Sequence, residues 1–154
     1  MSVSVEYFFN DPKGLAELAA DVNACLGCNL APYEGNADDL FDRFLSMEFS
    51  LHTADGFVND RDLDLESYAY YLDFRVPAGE GDALTIQVPA MLTVVYALYR
   101  GLGITGLLVY NTQRLLARYE ERELPDGRCL WDTVSDTVFE DFADHLRHIE
   151  QRLP

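Results

Sequence analysis

The chain has 154 residues, of which 49% are hydrophobic, and this is the size and composition of a single folded domain. Its 27 acidic residues against 11 basic ones give a net charge of -16, which disfavours binding to nucleic-acid phosphates or to anionic membranes. Nine Phe and nine Tyr supply enough apolar area to exclude a disordered chain.

The sequence also bears on where the protein resides. No apolar run is long enough to span a bilayer, and the first residues lack the basic group that begins a signal peptide. Three cysteines are an odd number and do not form a disulfide framework. We therefore expect a cytoplasmic protein with reduced thiols.

The first third of the chain predicts a strand, a helix and an acidic segment. Residues 3–9 alternate between polar and apolar side chains, as in a strand. Asn10 or Asp11 can cap a following helix with Pro12 in its first turn, and apolar residues recur at helical spacing up to Gly27. Residues 38–44 are predicted to form a short helix or an irregular acidic segment.

The middle of the chain predicts a hairpin with a long acidic connection. Residues 45–52 alternate as a half-buried strand, and residues 67–76 form a second strand. Acidic residues occupy the even positions up to Glu66, and large apolar residues occupy the even positions after it. One face of an uninterrupted strand would therefore pass from water into the core. A bend or bulge near Glu66 and Ser67 resolves this conflict.

The last elements complete an α+β pattern in one domain, residues 1–154. The most buried helix is predicted at residues 86–100, and a short buried strand at 106–111. Residues 113–121 fit a helix or a strand equally well. A terminal amphipathic helix is predicted at residues 134–153. The order predicts an α+β fold, with a ferredoxin-like βαββαβ unit and an added C-terminal helix as one arrangement among several.

The negative charge is concentrated. Residues 34–66 contain ten acids and two arginines, so this segment carries half of the net charge. Residues 100–128 contain five arginines and four acids. If these segments lie apart in space, the molecule has one acidic flank and one nearly neutral flank.

Within the acidic segment, four carboxylates occupy alternate positions: Asp60, Asp62, Asp64 and Glu66. In an extended chain they would project to one side, where they could form a solvated row, hold a divalent cation or bind a basic protein. Part of a calcium-binding loop is present from Asp55, but Leu51 and Thr53 stand where its first ligands would be.

Other potential sites are weaker. Cys25 and Cys28 form a CxxC at the end of the first helix, where the helix dipole does not lower a thiol pKa. His145 and His148 share a face of the predicted terminal helix and could hold a metal or lie on a solvent-exposed surface. Neither a catalytic motif nor a cofactor motif occurs, so no catalytic residue, metal ligand or cofactor is predicted.

Two long stretches, FLSMEFSLHTADGFVNDRDLDLESYAYYLDFRV and LLVYNTQRLLARYEER, cover about a third of the chain. Together with the acidic α+β character they resemble segments of the immunity proteins that bacteria encode beside polymorphic or contact-delivered toxins. The resemblance implies a protein that binds and blocks a toxin, often one with a basic active site.

We therefore hypothesise a non-catalytic, acidic, immunity-type module that blocks a basic protein partner such as a toxin. Asp60, Asp62, Asp64 and Glu66 would steer association, and Tyr71, which must face away from Tyr70 in a strand, would anchor the complex. The alternatives are a divalent-metal-dependent enzyme or calcium-binding module that uses the carboxylates of 55–66, and a structural or oligomerisation domain.

Overall fold

A computed structural model describes residues 3–45, 47–54, 65–76, 87–110, 114–120 and 130–133. Their elements in chain order are β1 (Val3–Phe9), α1 (Leu15–Leu26), β2 (Ala31–Tyr33), β3 (Asn36–Phe44), β4 (Met47–Thr53), β5 (Tyr70–Val76), α2 (Gln87–Leu102), β6 (Gly106–Tyr110), β7 (Arg114–Glu120) and β8 (Leu130–Thr133).

The described strands form one eight-stranded sheet in the order β2-β3-β4-β5-β1-β6-β7-β8, and each neighbouring pair is antiparallel. Helix α2 packs against β1 and β5, and α1 packs against α2 and β4. The predicted α+β class is therefore confirmed. Within the described part of the chain, neither helix has the length and hydrophobicity needed to cross a bilayer.

Strand β1 is buried on both of its faces. Val5, Tyr7 and Phe9 belong to the main core between the sheet and the helices, whereas Phe8 belongs to a smaller apolar cluster on the opposite face. The main core is completed by aromatic stacking across neighbouring strands, with the ring centroids of Phe49 and Phe74 4.7 Å apart. The helix-covered face is thus the apolar one, which leaves the second face for polar groups.

The prediction for residues 38–44 is wrong, because this segment is strand β3. Leu40 and Phe44 contact the main core and are four residues apart, a spacing shared by one helical turn and two strand repeats. Pairing with β4, from Asp39 opposite His52 to Phe44 opposite Met47, selects the strand. The turn between them contains Leu45 at a φ of 53°, so no glycine or asparagine marks this hairpin in the sequence.

The predicted cap of the first helix is also wrong. Helix α1 begins after Gly14, which makes no side-chain capping bond. Asn10 instead accepts a hydrogen bond from the Ala69 amide and donates one to the Ser67 carbonyl, and so joins β1 to the turn before β5. The predicted stop is confirmed: Gly27 has a φ of 69° and its N–H bonds to the Asn23 carbonyl.

The remaining predictions have mixed outcomes. The hairpin of β4 and β5 is confirmed, and a turn at Glu66 and Ser67 takes the place expected for the bend, so β5 begins only at Tyr70. The helix predicted at 86–100 is α2, and the ambiguous segment 113–121 contains strand β7. The predicted terminal helix at 134–153 lies outside the described residues.

The described parts of the two charge segments lie on different sides of the sheet. Strand β3, which contains Asp38, Asp39 and Asp42, lies beside the edge strand β2, while β7, which contains Arg114 and Arg118, is next to the other edge. The sheet therefore has an acidic side and a side of nearly balanced charge.

Gly106 gives a test of the close pairing between β1 and β6. It lies opposite Phe9, and an added Cβ would collide with the backbone carbonyl of Phe8. We expect Gly106→Ala to lower the free energy of unfolding by about 2 kcal/mol or more, measured by urea denaturation. Gly14→Ala, where nothing lies within 4 Å of the new Cβ, is the control and should cost well under about 1 kcal/mol. Equal losses in the two variants would contradict this account.

Candidate functional site

The face of the sheet opposite the helices carries its polar residues in aligned rows. The strand registers place one row as Asp39, His52, Tyr71, Phe8 and Leu107 and the next as Phe41, Ser50, Asp73, Glu6 and Val109. A third row contains Arg43, Glu48 and Arg75. Because directly opposed residues on one face are close neighbours, the registers bring together groups from distant parts of the chain.

A pocket of about 280 Å³ lies on this face. It is formed by β2, β3, β4 and β5, and its lining includes the acids Asp39, Glu48 and Asp73 and the aromatic residues Tyr33, Phe41 and Tyr71. His52, Ser50 and Arg75 also line it. Three carboxylates thus meet one arginine and one histidine, so the pocket favours a cation.

His52 lies between two carboxylates. Its Nδ1 is 2.6 Å from Asp39 Oδ1, and its Nε2 is 3.5 Å from Asp73 Oδ1. Burial acts to lower the pKa of His52, but the carboxylates of Asp73 and Asp39 outweigh it, so this pKa is raised above its ordinary value of 6.5. The raised pKa of His52 results from a negative electrostatic potential at the imidazole.

Asp73 is the buried acid of the pocket, with 5% of its surface exposed. Its Oδ1 has no hydrogen-bond partner among the described groups, since the contact with His52 is long. An Arg75 guanidinium nitrogen lies 3.6 Å from Oδ2, which is also beyond a good hydrogen bond. Glu6, itself 2% exposed, lies opposite Asp73 on β1. Two acids are therefore buried side by side on this face of the sheet.

Tyr71 connects the polar pocket to the small apolar cluster. Its ring stacks on His52, with centroids 4.7 Å apart, and on Phe8, with centroids 5.2 Å apart. Burial, together with the carboxylates of Asp73, Asp39 and Glu6, raises the pKa of Tyr71 to about 12. The phenol therefore remains neutral at physiological pH and can donate a hydrogen bond.

The structure describes two of the five residues that the sequence predicted as a site. Tyr71 lines the pocket and is half-buried, whereas Glu66 is exposed in the turn before β5. Asp60, Asp62 and Asp64 lie outside the described residues. Tyr70 faces the main core, as expected for the neighbour of Tyr71.

Sequence reasoning did not connect Asp39, His52, Asp73 and Arg75 as one cluster. The polar alternation of residues 45–52 showed the polar face of β4, and Asp73 and Arg75 alternate with the apolar residues of β5. The missing information was the register that aligns these faces, together with the identity of β3 as a strand.

The CxxC and metal hypotheses find no support in the described residues. Cys25 and Cys28 are free, and burial raises the pKa of both thiols, which disfavours the reactive thiolate. No cluster of three or more His, Cys, Asp or Glu with the geometry of a metal site occurs in the ranges described above. His145, His148 and the carboxylates of Asp55, Asp60, Asp62 and Asp64 lie outside those ranges.

Comparisons of the chain with family models, with curated proteins and with solved structures find no match.

His52 makes stability depend on pH. Because its folded pKa is raised, protonation of His52 stabilises the fold below about pH 6.5, and this contribution is lost as pH rises through the folded pKa. We expect the stability advantage of the wild type over His52→Gln to shrink as pH rises above about 6.5 and through the raised folded pKa, as measured by urea denaturation.

The exposed acid Glu17 on α1, which packs on the opposite face, provides the control. The stability difference between the wild type and Glu17→Gln should not follow this pH dependence, because Glu17 lies in the helical layer and not beside the imidazole. If the stability difference between the wild type and His52→Gln were also independent of pH, the flanking carboxylates would not be stabilising the protonated imidazole.

Proposed function

We propose that the protein is a non-catalytic, acidic protein-binding module, an immunity-type inhibitor that blocks a basic partner such as a toxin. The observation that carries the proposal is the pocket with Asp39, Glu48 and Asp73 in its wall, open on a sheet face that no described helix covers. A concave site with three carboxylates and aromatic walls suits basic side chains of another protein.

The distribution of charge supports the same function. Strands β2 and β3 at the acidic edge of the sheet also line the pocket. Residues 34–66, with a net charge of -8, include both the pocket acids Asp39 and Glu48 and the predicted partner-binding residues Asp60, Asp62, Asp64 and Glu66. A field of one sign around a binding site raises the rate of encounter with an oppositely charged partner. Tyr71 would then contribute a rigid aromatic contact within the site.

We also propose that the centre of the sheet is a ferredoxin-like unit. The support is the arrangement β4-β5-β1-β6, in which α1 connects β1 towards β4 and α2 connects β5 to β6, with antiparallel neighbours throughout. Strands β2 and β3 are then an insertion after α1, and they supply one wall of the pocket. The binding site would then depend on this insertion, because a ferredoxin-like unit alone lacks this wall of the pocket.

A cytoplasmic location remains part of the proposal. Its support is the odd number of cysteines, which does not form a disulfide framework.

The test begins with affinity capture on the full chain, followed by purification of each captured protein. We expect a basic protein whose association rate falls at least about tenfold between about 50 and about 500 mM NaCl, measured by surface plasmon resonance, and whose activity is lost in the complex. A captured protein that binds at a salt-independent rate, or remains active when bound, would contradict the inhibitory proposal, as would the absence of any direct binder.

A second test concerns the predicted acidic row. Replacing Asp60, Asp62 and Asp64 by Lys should slow association about tenfold at low salt while leaving circular dichroism and thermal stability unchanged. The matched control replaces Glu140, Asp141 and Asp144 by Lys, which makes the same change in net charge in another segment. If both triple variants slow association equally, net charge alone is responsible and the row has no special role.

A further inference from the structure

His52 connects three strands of the pocket through its imidazole ring. From β4, its Nδ1 lies 2.6 Å from Asp39 Oδ1 on β3, and its Nε2 lies 3.5 Å from Asp73 Oδ1 on β5. The ring also stacks on Tyr71, with centroids 4.7 Å apart, and this contact limits its rotation. The side chain of His52 is 19% exposed, so its protons can exchange with water.

The two acids can both be bonded only when the ring is protonated. An imidazolium has two N–H donors, one for each carboxylate, whereas a neutral imidazole has one donor and one acceptor. When the ring loses a proton to water, one of the two carboxylate oxygens must face a nitrogen lone pair. Asp39 and Asp73 then compete for the single N–H that remains.

The different burial of the two acids decides this competition. Asp73 Oδ1 is buried and has no hydrogen-bond partner among the described groups, so Nε2 is its source of a proton. The Asp39 side chain is 46% exposed, and its other oxygen accepts a hydrogen bond from Asn36, so water can replace its bond to Nδ1. A buried acceptor that lacks a donor costs more free energy than an exposed one. The neutral ring should therefore keep its proton on Nε2 and release Asp39 Oδ1 to solvent.

We propose that His52 is a proton-dependent switch of this sheet face, and that loss of its proton strengthens the binding of a basic partner. With the proton bound, the imidazolium holds Asp39 and offsets one negative charge. Without it, Asp39 Oδ1 is hydrated and the face is more negative by one charge, which attracts a basic protein more strongly. The inference deepens the proposed function and rests on it for the partner, whereas the switch itself is a property of the free protein.

Other charged and titratable groups adjoin the switch. Within the described part of the chain they are Tyr33 on β2, Asp39 on β3, Glu48 on β4, Tyr71, Asp73 and Arg75 on β5, and Glu6 on β1. The pKa of Tyr71 is raised to about 12, and Arg75 remains a cation at any ordinary pH. Among these groups, His52 is the one that changes charge near neutral pH, since its pKa is raised above 6.5.

The first measurement follows the imidazole nitrogens of the full, unbound chain by NMR. The chain contains His52, His145 and His148, and the His52→Gln variant identifies the resonances of His52. Between about pH 5.5 and about pH 8.5, we expect a doubly protonated ring to give way to the tautomer with its proton on Nε2. A neutral ring with its proton on Nδ1 would show that the bond to Asp39 is kept, and would overturn the inference.

A matched pair of variants tests which acid directs the proton. Asp39→Asn and Asp73→Asn each remove one negative charge beside the ring, so both should lower the pKa of His52. Asp73→Asn also removes the buried charge, and the neutral ring of this variant should place its proton on Nδ1, facing Asp39. In Asp39→Asn the proton should stay on Nε2. The same tautomer in both variants would overturn the inference.

The second measurement tests binding by calorimetry, with N-acetyl-hexa-arginine amide as the basic probe at low ionic strength. Its guanidinium groups keep their charge at every pH used, so any pH dependence comes from the protein. Between about pH 5.5 and about pH 8.5, the affinity of the wild type should rise about threefold more than that of His52→Gln. His148→Gln, which removes another histidine, should retain the full rise. Equal rises in the wild type and His52→Gln would overturn the inference.

The outcomes also separate this inference from the proposed function. A captured basic protein whose affinity has the same pH dependence for the wild type and His52→Gln would overturn the switch and leave the proposed function standing. A His52-dependent rise in affinity for the probe, without any basic protein partner, would overturn the proposed function and leave the switch standing.

Discussion

The in-register pairing of β3, β4, β5 and β1 is the constraint on which both the core and the site depend. Side chains in a strand alternate between faces, so a slip of one residue in any pair would exchange the apolar and polar sets. In the observed register, Phe49, Leu72 and Val5 face the helices, while Ser50, Asp73 and Glu6 face the other way. The hydrophobic core therefore fixes the positions of the polar groups, even though the polar groups contribute little to the core.

This division explains how the fold accommodates buried acids. Asp73 and Glu6 each lose most of their contact with water, and the transfer of a carboxylate out of water costs free energy. The aromatic core on the other face, including Phe49 and Phe74, supplies burial free energy that is independent of these charges. The polar groups of this face are then free to serve a purpose other than stability, since the register is held by the core on the other face.

The elements with strong periodic patterns could be predicted from the sequence. Strand β1, helices α1 and α2, and the hairpin of β4 and β5 follow from alternation, helical spacing and turn residues. Strand β3 could not, because Leu40 and Phe44 fit either period and Leu45 forms a turn that has no glycine or asparagine signal. The choice between the two periods is made by pairing with β4, which is a tertiary interaction.

The site was predicted only in part for the same reason. Tyr71 was identified because adjacent tyrosines in a strand must face opposite ways, and the structure places it in the pocket. Asp39 and Asp73 are 34 residues apart in sequence, and His52 approaches both only through two strand registers. No spacing rule along a single segment contains that information.

The exposed acids and the buried acid of the pocket act over different distances and therefore have different physical roles. Exposed charges act over roughly one Debye length, about 8 Å at physiological salt, and are screened beyond it, so they chiefly set the rate of encounter. A carboxylate such as Asp73, which is 5% exposed, acts at contact and is screened much less. Salt would therefore slow association strongly but change dissociation little, because dissociation requires the buried contacts to break. In the proposed complex, the large net charge would bring a basic partner to this face of the sheet, and the register of four strands would position the groups that contact it.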